Sequence, residues 1–268
     1  DRRLQVAVVE SADPESGTRL AMTQVVSEYL GECEPTIPAF DELLKELAIE
    51  TRLSFAGRDK KVHGGCLERN PCSQREFECL IGTRISGPVS LKKPQVEYRA
   101  VLSEDRCYFG KVLFSIDRGS FDTRNPGKRD FFHPGVMMPR MARTLINLTC
   151  VRAGDILLDP FCGTGGILIE ADMIGIRSVG SDFDPLMAAG SRQNITNSDL
   201  LLADATRLPF LSQSFDAVVT DFPYGQSVCI KKTDTMDNLY ADALEEIRRV
   251  LRHGQKAVVV THRDISDI

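Results

Sequence analysis

Length, composition and charge describe a globular protein of two or three domains. The chain has 268 residues, of which 42% are hydrophobic and 26% are charged, enough to bury a sizeable core. No apolar run approaches the ~20 residues that a transmembrane helix needs, and no signal-peptide pattern opens the chain, so a membrane protein is excluded. The chain starts at Asp1, and we expect that the native N-terminus is missing.

The net charge of -5 is unevenly distributed along the chain. Residues 51–149 contain 18 Lys and Arg against 10 Asp and Glu, whereas the segments before and after them are acidic. A basic middle segment is typical of a surface that meets a polyanion. The same excess of basic residues is equally compatible with an ordinary solvated surface. Charge alone does not decide between a polyanion-binding surface and a solvated one.

The eight cysteines include no CxxC pair. Cys66, Cys72 and Cys79 form the densest group, but they lack the tight spacing of metal ligands. We therefore expect free thiols, no metal site and a reducing, cytoplasmic setting.

The first half of the chain predicts short elements of mixed type. "RLQVAVV" (3–9) is typical of a strand, and the stretches at 18–32 and 40–50 carry apolar residues at helical spacing. Further on, "QVEYRAVL" (95–102) and "RCYFGKVLFSI" (106–116) predict a hairpin.

Residues 117–140 are rich in Gly, Pro, Arg and aromatic residues and show no periodicity, which indicates a linker or a functional segment. From residue 140 onward helices and strands alternate. The predicted strands are 155–159, 177–182, 199–204, 215–221 and 256–262, and the predicted helices are 140–150, 165–174, 185–194 and 238–251. This alternation predicts an α/β fold with a doubly wound, mainly parallel sheet, in which ligands bind beyond the carboxyl ends of the strands.

An acid stands at the end of each of the first four predicted strands: Asp159, Asp182, Asp204 and Asp221. The first is followed by "PFCGTGG", whose glycines allow a tight turn and close approach of a ligand. A dinucleotide site would carry a third glycine where Leu168 stands, and an acid so near the turn would repel a pyrophosphate. The ammonium, ribose and adenine amine of S-adenosylmethionine suit the first three acids, so this cofactor fits better than NAD.

"LLDPFCGTGGILIEA" and "DFPYG" resemble the amino-methyltransferases, whose usual tip has proline where this chain has Phe222. "SFDTRNPGKRDFFHPGVMMPRMARTLINL" resembles the archaeal tRNA guanosine-10 N2-methyltransferases. The resemblance covers roughly residues 50–268. It implies a ferredoxin-like region at 1–50, a THUMP RNA-binding domain at 51–118, a linker at 119–140 and a Rossmann-like class I methyltransferase domain at 141–268.

Two features depart from that family: the connection "ITNS" before the third strand is short, and the chain stops after the fifth strand, as a C-terminally trimmed domain would.

The resemblance and the strand ends together imply a set of site residues. The cofactor-binding residues are Asp159, Phe161, Gly163, Gly165, Asp182, Phe183, Asp204 and Ala205, with a lid of Phe132, His133 and Pro134; for His133 a structural turn remains an alternative. The catalytic residues are Asp221, Phe222, Pro223 and Tyr224. The RNA-binding residues are Arg52, Arg58, Lys60, Lys61, Lys92, Lys93, Arg124, Lys128 and Arg129.

The tip "DFPY" suggests how a guanine N2 amine becomes nucleophilic. The Asp221 carboxylate and the Phe222 carbonyl each accept one N2 hydrogen, Pro223 restrains the residue before it, and the ring of Tyr224 stacks on the base. Because a proline at position 222 would restore the family's stiffer tip, we expect Phe222→Pro to be harmless or beneficial.

The sequence thus predicts a monomeric tRNA guanine-N2 methyltransferase, with position 10 as the target. Guanosine 6 of the acceptor stem or another structured RNA is the nearest alternative. Methylation of a protein glutamine amide and a non-catalytic RNA-binding protein are the other two.

Overall fold

The computed structural model describes residues 6–61, 74–103, 105–224, 236–262 and 264–265; of residues 59–61 and 74 it describes only the backbone. Residues 3–5, part of the first predicted strand, and two of the three clustered cysteines, Cys66 and Cys72, lie outside these ranges. The chain divides into two compact units. The first comprises residues up to Thr18 and Thr23–Ile116, and the second comprises Arg19–Met22 and Asp117–Ile268.

The first unit is a four-stranded sheet with two helices. Its strands are β1 (Val25–Cys33), β2 (Phe55–Lys61), β3 (Val96–Leu102) and β4 (Cys107–Ser115), and its helices are α1 (Ile37–Leu47) and α2 (Gln74–Arg84). The strand order is β1-β4-β3-β2. Strand β2 runs parallel to β3, and the other pairs are antiparallel.

The predicted hairpin is confirmed as β3 and β4, and the predicted helix at 40–50 is confirmed as α1. The helix predicted at 18–32 is wrong, since most of that stretch forms β1. Gly110 in β4 explains part of this outcome, because a Cβ there would lie 2.6 Å from the Glu28 carbonyl oxygen. A glycine at this position lets β1 approach closely enough to pair, and the backbone pairing overrides the weak helical spacing.

The described part of the first predicted strand, residues 6–9, has no regular structure.

One core holds the first unit together. The buried ring of Phe40 of α1 contacts the buried rings of Phe77 of α2 and Phe109 of β4, at centroid distances of 5.1 and 5.4 Å. The structure therefore joins β1 and α1, from the predicted ferredoxin-like region, with β2, β3, β4 and α2, from the predicted THUMP domain, in one sheet and one core.

The second unit is a parallel sheet flanked by helices, as predicted. Its strands are β5 (Ile156–Asp159), β6 (Arg177–Asp182), β7 (Asp199–Leu202), β8 (Phe215–Asp221) and β9 (Leu251–Val260). Its helices are α3 (Pro139–Leu148), α4 (Gly166–Asp172), α5 (Pro185–Ser191) and α6 (Met236–Val250). The order β7-β6-β5-β8-β9 places β5 at the centre, and all described pairs are parallel.

The segment predicted as a linker packs onto the second unit. It contains two 3₁₀ helices, Arg118–Arg124 and Pro126–Lys128, and the Phe121 side chain is buried. Arg124 and Arg143 both pair with the fully buried Glu170 at 2.7 Å. Such a buried ionic cluster fixes the segment against α3 and α4, because removing one partner would leave a charge buried without compensation.

Among the helices of the described ranges, none is long and apolar enough to cross a membrane.

Candidate active site

The glycine-rich turn between β5 and α4 needs its glycines. Gly163 and Gly165 have φ values of +49° and +81°, which side chains with a Cβ rarely adopt. A Cβ on Gly165 would also come within 3.1 Å of Ile195. The Gly163 N–H donates to Asp182 Oδ2 at 2.9 Å, so the turn is tied to the end of the neighbouring strand β6.

Asp159, at the end of β5, is a buried carboxyl group. Its Oδ1 accepts hydrogen bonds from the Thr220 hydroxyl at 2.8 Å and from the Phe161 N–H at 3.3 Å. Burial raises the pKa of Asp159 to about 7, and the charges of Asp182 and Asp221 add to this rise against the two hydrogen bonds. The structure thus brings together three of the four predicted strand-end acids.

Asp182 and Asp204 both cap backbone turns. Asp182 Oδ1 accepts from the Asp184 N–H at 2.9 Å, and burial raises the pKa of the Asp182 carboxyl. Asp204 Oδ1 accepts from the Thr206 N–H and hydroxyl, at 2.9 and 2.7 Å. Next to these acids, Phe183 is half exposed and Ala205 is buried, so an apolar ring and a small side chain border this edge.

The segment around Phe132, His133 and Pro134 lies beside the glycine-rich turn. Asn194 connects the two: its side-chain N–H groups donate to the carbonyls of Phe131 and Thr164 at 2.8 and 2.9 Å, and its Oδ1 accepts from the Phe131 N–H.

Phe132 and Pro134 are exposed, and His133 Nδ1 lies 2.9 Å from the Pro134 carbonyl oxygen. This arrangement is compatible with His133 as part of a lid over the cofactor and with His133 as part of a structural turn. Sequence reasoning missed Asn194, because its partners lie 30 and 63 residues away and no local pattern marks it.

Arg129, predicted to contact RNA, lies against the glycine-rich turn. Its Nη1 donates to Thr164 Oγ1 at 3.3 Å, its Nε donates to the Arg124 carbonyl, and burial lowers the pKa of the guanidinium. Arg124 is likewise held by Glu170. Both arginines are therefore engaged in contacts within the second unit, and their contact with RNA stays a prediction.

The tip formed by Asp221, Phe222, Pro223 and Tyr224, where the acceptor was predicted to bind, lies at the end of β8. The Tyr224 hydroxyl donates to Asp221 Oδ1 at 2.5 Å. Burial raises the pKa of Asp221 while this hydrogen bond lowers it, and burial together with the same bond raises the pKa of Tyr224 to about 12. The Tyr224 ring is 46% exposed and therefore accessible to a planar ligand.

Phe222 is a core residue as well as part of the tip. Its ring is fully buried, stacked on Tyr240 at 4.7 Å and edge-on to Phe161 at 5.2 Å. Its N–H donates to the Val260 carbonyl at 2.9 Å. The expectation that Phe222→Pro is harmless is therefore wrong, because proline would remove both the ring and the donor.

Two residues at this tip were not predicted. The Tyr240 hydroxyl donates to the Pro223 carbonyl at 2.7 Å. His262, beyond the end of β9, lies edge-on to the Tyr224 ring at 5.5 Å between centroids. Both residues come from elements later in the chain, so only the folded sheet places them here.

Among the residues of the first unit predicted to bind RNA, Arg52, Lys92 and Lys93 lie on two loops, whereas Arg58, Lys60 and Lys61 belong to β2. Arg52, Lys92 and Lys93 are exposed, and Arg58 donates to the Leu91 carbonyl at 3.0 Å. The two loops are joined by the backbone bonds of Thr51 to Ser86 and of Phe55 to Pro88. Lys128 of the second unit is exposed, and the side chains of Lys60 and Lys61 lie outside the described residues.

In the part of the chain that the structure describes, the carboxyl groups at the strand ends lack basic partners. No ion pair within the described ranges involves Asp159, Asp182, Asp204 or Asp221. In the same part of the chain, no three His, Cys, Asp or Glu side chains gather so as to hold a metal ion. A buried carboxyl without a cationic partner is either protonated or open to pairing with a cationic ligand.

A parallel sheet of this order, with a glycine-rich turn after the central strand and acids at the strand ends, defines the class I methyltransferase fold. The sequence matches the family UPF0020 (RMKL-like, methyltransferase domain) over residues 126–266. The chain belongs to this methyltransferase family, within the group that includes the archaeal tRNA (guanine(10)-N2)-dimethyltransferases.

The relatives support this placement over most of the chain. A tRNA (guanine(10)-N2)-dimethyltransferase of Methanothermobacter thermautotrophicus is 37% identical over 88% of this chain and 70% of its own length. A U6 snRNA (guanine-N(2))-methyltransferase of Mus musculus is 31% identical over 95% of this chain and 47% of its own length. The chain therefore spans between about half and about two thirds of these relatives. Among solved structures, TrmN from Thermus thermophilus is 20% identical over 94% of this chain and 76% of its own, with a TM-score of 0.48.

Proposed function

We propose that this protein transfers a methyl group from S-adenosylmethionine to the exocyclic N2 of a guanosine in tRNA, at position 10, in the cytoplasm. The observation that carries the proposal is the grouping of Asp159, Asp182 and Asp221 at the ends of three adjacent strands, near enough for the charges of the last two to act on the first. The relatives' names supply the nucleobase and the position.

The residues present fit the cofactor. Asp159 is suited to the ammonium group, Asp182 to the ribose hydroxyls, and Asp204 with Phe183 to the adenine ring. When bound, the cofactor supplies an electrophilic methyl group. The glycine-rich turn allows a ligand to approach the backbone, and the exposed ring of Phe132 is placed to exclude water from that side.

The acceptor tip is suited to an extruded guanine. The Asp221 carboxylate accepts one N2 hydrogen, which shifts the nitrogen lone pair out of the ring and toward the methyl group. The Phe222 carbonyl accepts the other hydrogen, and Tyr224 offers its exposed face to the base. Because burial raises the pKa of Asp221, this carboxylate is also a better base for the proton that N2 loses as it is methylated.

The test is nucleoside analysis of tRNA treated with the protein and S-adenosylmethionine. We expect N2-methylated guanosine in wild-type tRNA and its loss when position 10 is changed to adenosine. Methylation that survives this change but disappears when guanosine 6 is replaced would favour the acceptor-stem alternative. The similarity to a relative named for U6 snRNA makes that RNA a second substrate to assay. Labelling of protein but not RNA would support a glutamine amide as acceptor, and binding of RNA without any methylation would support the non-catalytic reading.

The first prediction concerns Asp182 and the ribose. Asp182→Ala should weaken S-adenosylmethionine binding by at least about 1.4 kcal/mol, a tenfold change measurable by calorimetry. Because Asp182 also accepts the Gly163 N–H, Asp182→Asn serves as the matched control, since it keeps one acceptor oxygen for the turn. An unchanged dissociation constant in Asp182→Ala would remove Asp182 from the cofactor site.

The second prediction concerns tRNA affinity and salt. We propose that Arg52, Arg58, Lys92 and Lys93 contact phosphates, together with Lys128 and with Lys60 and Lys61. Lys92→Glu with Lys93→Glu should weaken tRNA binding and reduce the slope of log affinity against log salt by about 1.8, at about 0.9 per phosphate contact. The control is Arg152→Glu with Arg177→Glu, which changes the charge by the same amount. These two exposed residues lie near the start of β5 and at the start of β6, away from the strand ends that carry the acids. Equal effects in both pairs would mean that net charge, not this surface, sets the affinity.

A further inference from the structure

Thr220 connects the cofactor side of the sheet to the acceptor side. This residue of β8 is fully buried and immediately precedes Asp221. The described pairing of β5 with β8 ends at Leu158 and Val218. Beyond that point, the hydrogen bond from Thr220 Oγ1 to Asp159 Oδ1, at 2.8 Å, is a side-chain link between the two strand ends.

We propose that Thr220 is a positioning residue: its hydroxyl keeps the Asp159 carboxylate oriented and ionised for the ammonium group of the cofactor, and ties that contact to the acceptor strand. The inference rests on the proposed use of S-adenosylmethionine and adds a residue to it.

The surroundings of Asp159 explain why such a residue is needed. The titratable groups that face Asp159 are the carboxyls of Asp182 and Asp221 and the buried thiol of Cys162. The two carboxylates and the burial favour the protonated form of Asp159. The Thr220 hydroxyl and the Phe161 N–H oppose them, since a carboxylate that accepts hydrogen bonds is stabilised in its ionised form.

The consequence is a pH-dependent affinity. With the pKa of Asp159 at about 7, roughly half of the protein carries the carboxylate at pH 7, and an ammonium ligand binds that half. Affinity should therefore rise with pH through this range, because the proton must leave before the ammonium enters. Loss of the Thr220 hydroxyl removes one of the groups that favour the anion, so the rise should move to higher pH.

The test compares the wild type, Thr220→Val and Thr220→Ser in the full chain. The probe is S-adenosylhomocysteine, which carries the ammonium group without the reactive methyl, titrated by calorimetry from pH 6 to pH 9. The wild type should bind about tenfold more weakly at pH 6 than at pH 8, as linkage to one group of that pKa requires. Thr220→Val should bind about fivefold more weakly than wild type at pH 7, the scale of one hydrogen bond, and approach it at pH 9. Thr220→Ser should follow the wild-type curve.

A second ligand separates this role from a structural one. 5′-Methylthioadenosine keeps the ribose but lacks the ammonium group, so its affinity should be equal in all three proteins at each pH. A Thr220→Val curve that superposes on the wild type would overturn the inference. The inference would also be overturned if Thr220→Val lost the same affinity at every pH and for both ligands, because a merely structural defect would weaken binding in that way. If the wild type binds neither ligand, the proposed cofactor itself is wrong, and the inference falls with it.

Discussion

Asp221→Ala is expected to keep both binding steps and to lose methyl transfer. In the proposed function the carboxylate serves the acceptor nitrogen, while Asp159 and Asp182 serve the cofactor and basic residues of the first unit serve tRNA. The rate in single turnover should fall by about 10²-fold or more, the scale for one positioned polar group. The dissociation constants for S-adenosylmethionine and tRNA should stay within a few-fold.

Two matched variants sharpen this result. Asp221→Asn keeps one acceptor oxygen but cannot take up a proton as a carboxylate does, so its rate separates hydrogen bonding from proton transfer. Tyr224→Phe keeps the ring and removes the hydrogen bond that lowers the pKa of Asp221. The acid limb of the rate should then move to higher pH, because the ionised carboxylate has lost a donor. A near wild-type rate in Asp221→Ala would mean that this tip is not the acceptor site.

Phe222→Pro is expected to destabilise the second unit by several kcal/mol. Truncating a buried phenylalanine costs about 3–5 kcal/mol, and the loss of the N–H bond to Val260 adds about 1 kcal/mol. The free energy of unfolding from urea titration measures both. Phe222→Leu keeps the N–H and much of the apolar volume, so it should lose only part of that stability. A Phe222→Pro protein as stable as the wild type would show that the stiffer backbone offsets the lost core.

Comparison of these two residues shows where sequence reasoning stopped. Asp221 was assigned correctly to the end of a buried strand, because a continuous apolar run followed by an acid fixes its position in a parallel sheet. The ring of Phe222 was not placed, because its partners Phe161 and Tyr240 are 61 and 18 residues away in the sequence.

The sequence by itself determined the second unit: every strand and helix predicted from residue 140 onward is present, and the glycine-rich turn follows β5. Asp159, Asp182 and Asp221 end their strands as predicted, while Asp204 lies two residues beyond the end of β7. Buried parallel strands allow this, because short, continuous apolar runs that alternate with helical periodicity are typical of a parallel sheet covered by helices.

Only the tertiary structure decided the remainder. It made residues 25–33 a strand, because pairing with β4 outweighs weak helical periodicity. It gave Arg124 and Arg129 partners in Glu170 and Thr164, and brought Asn194, Thr220 and His262 to the candidate site. The physical reason is common to all of these: a side chain's partners across a sheet or between loops are chosen by geometry far along the chain, which no local pattern encodes.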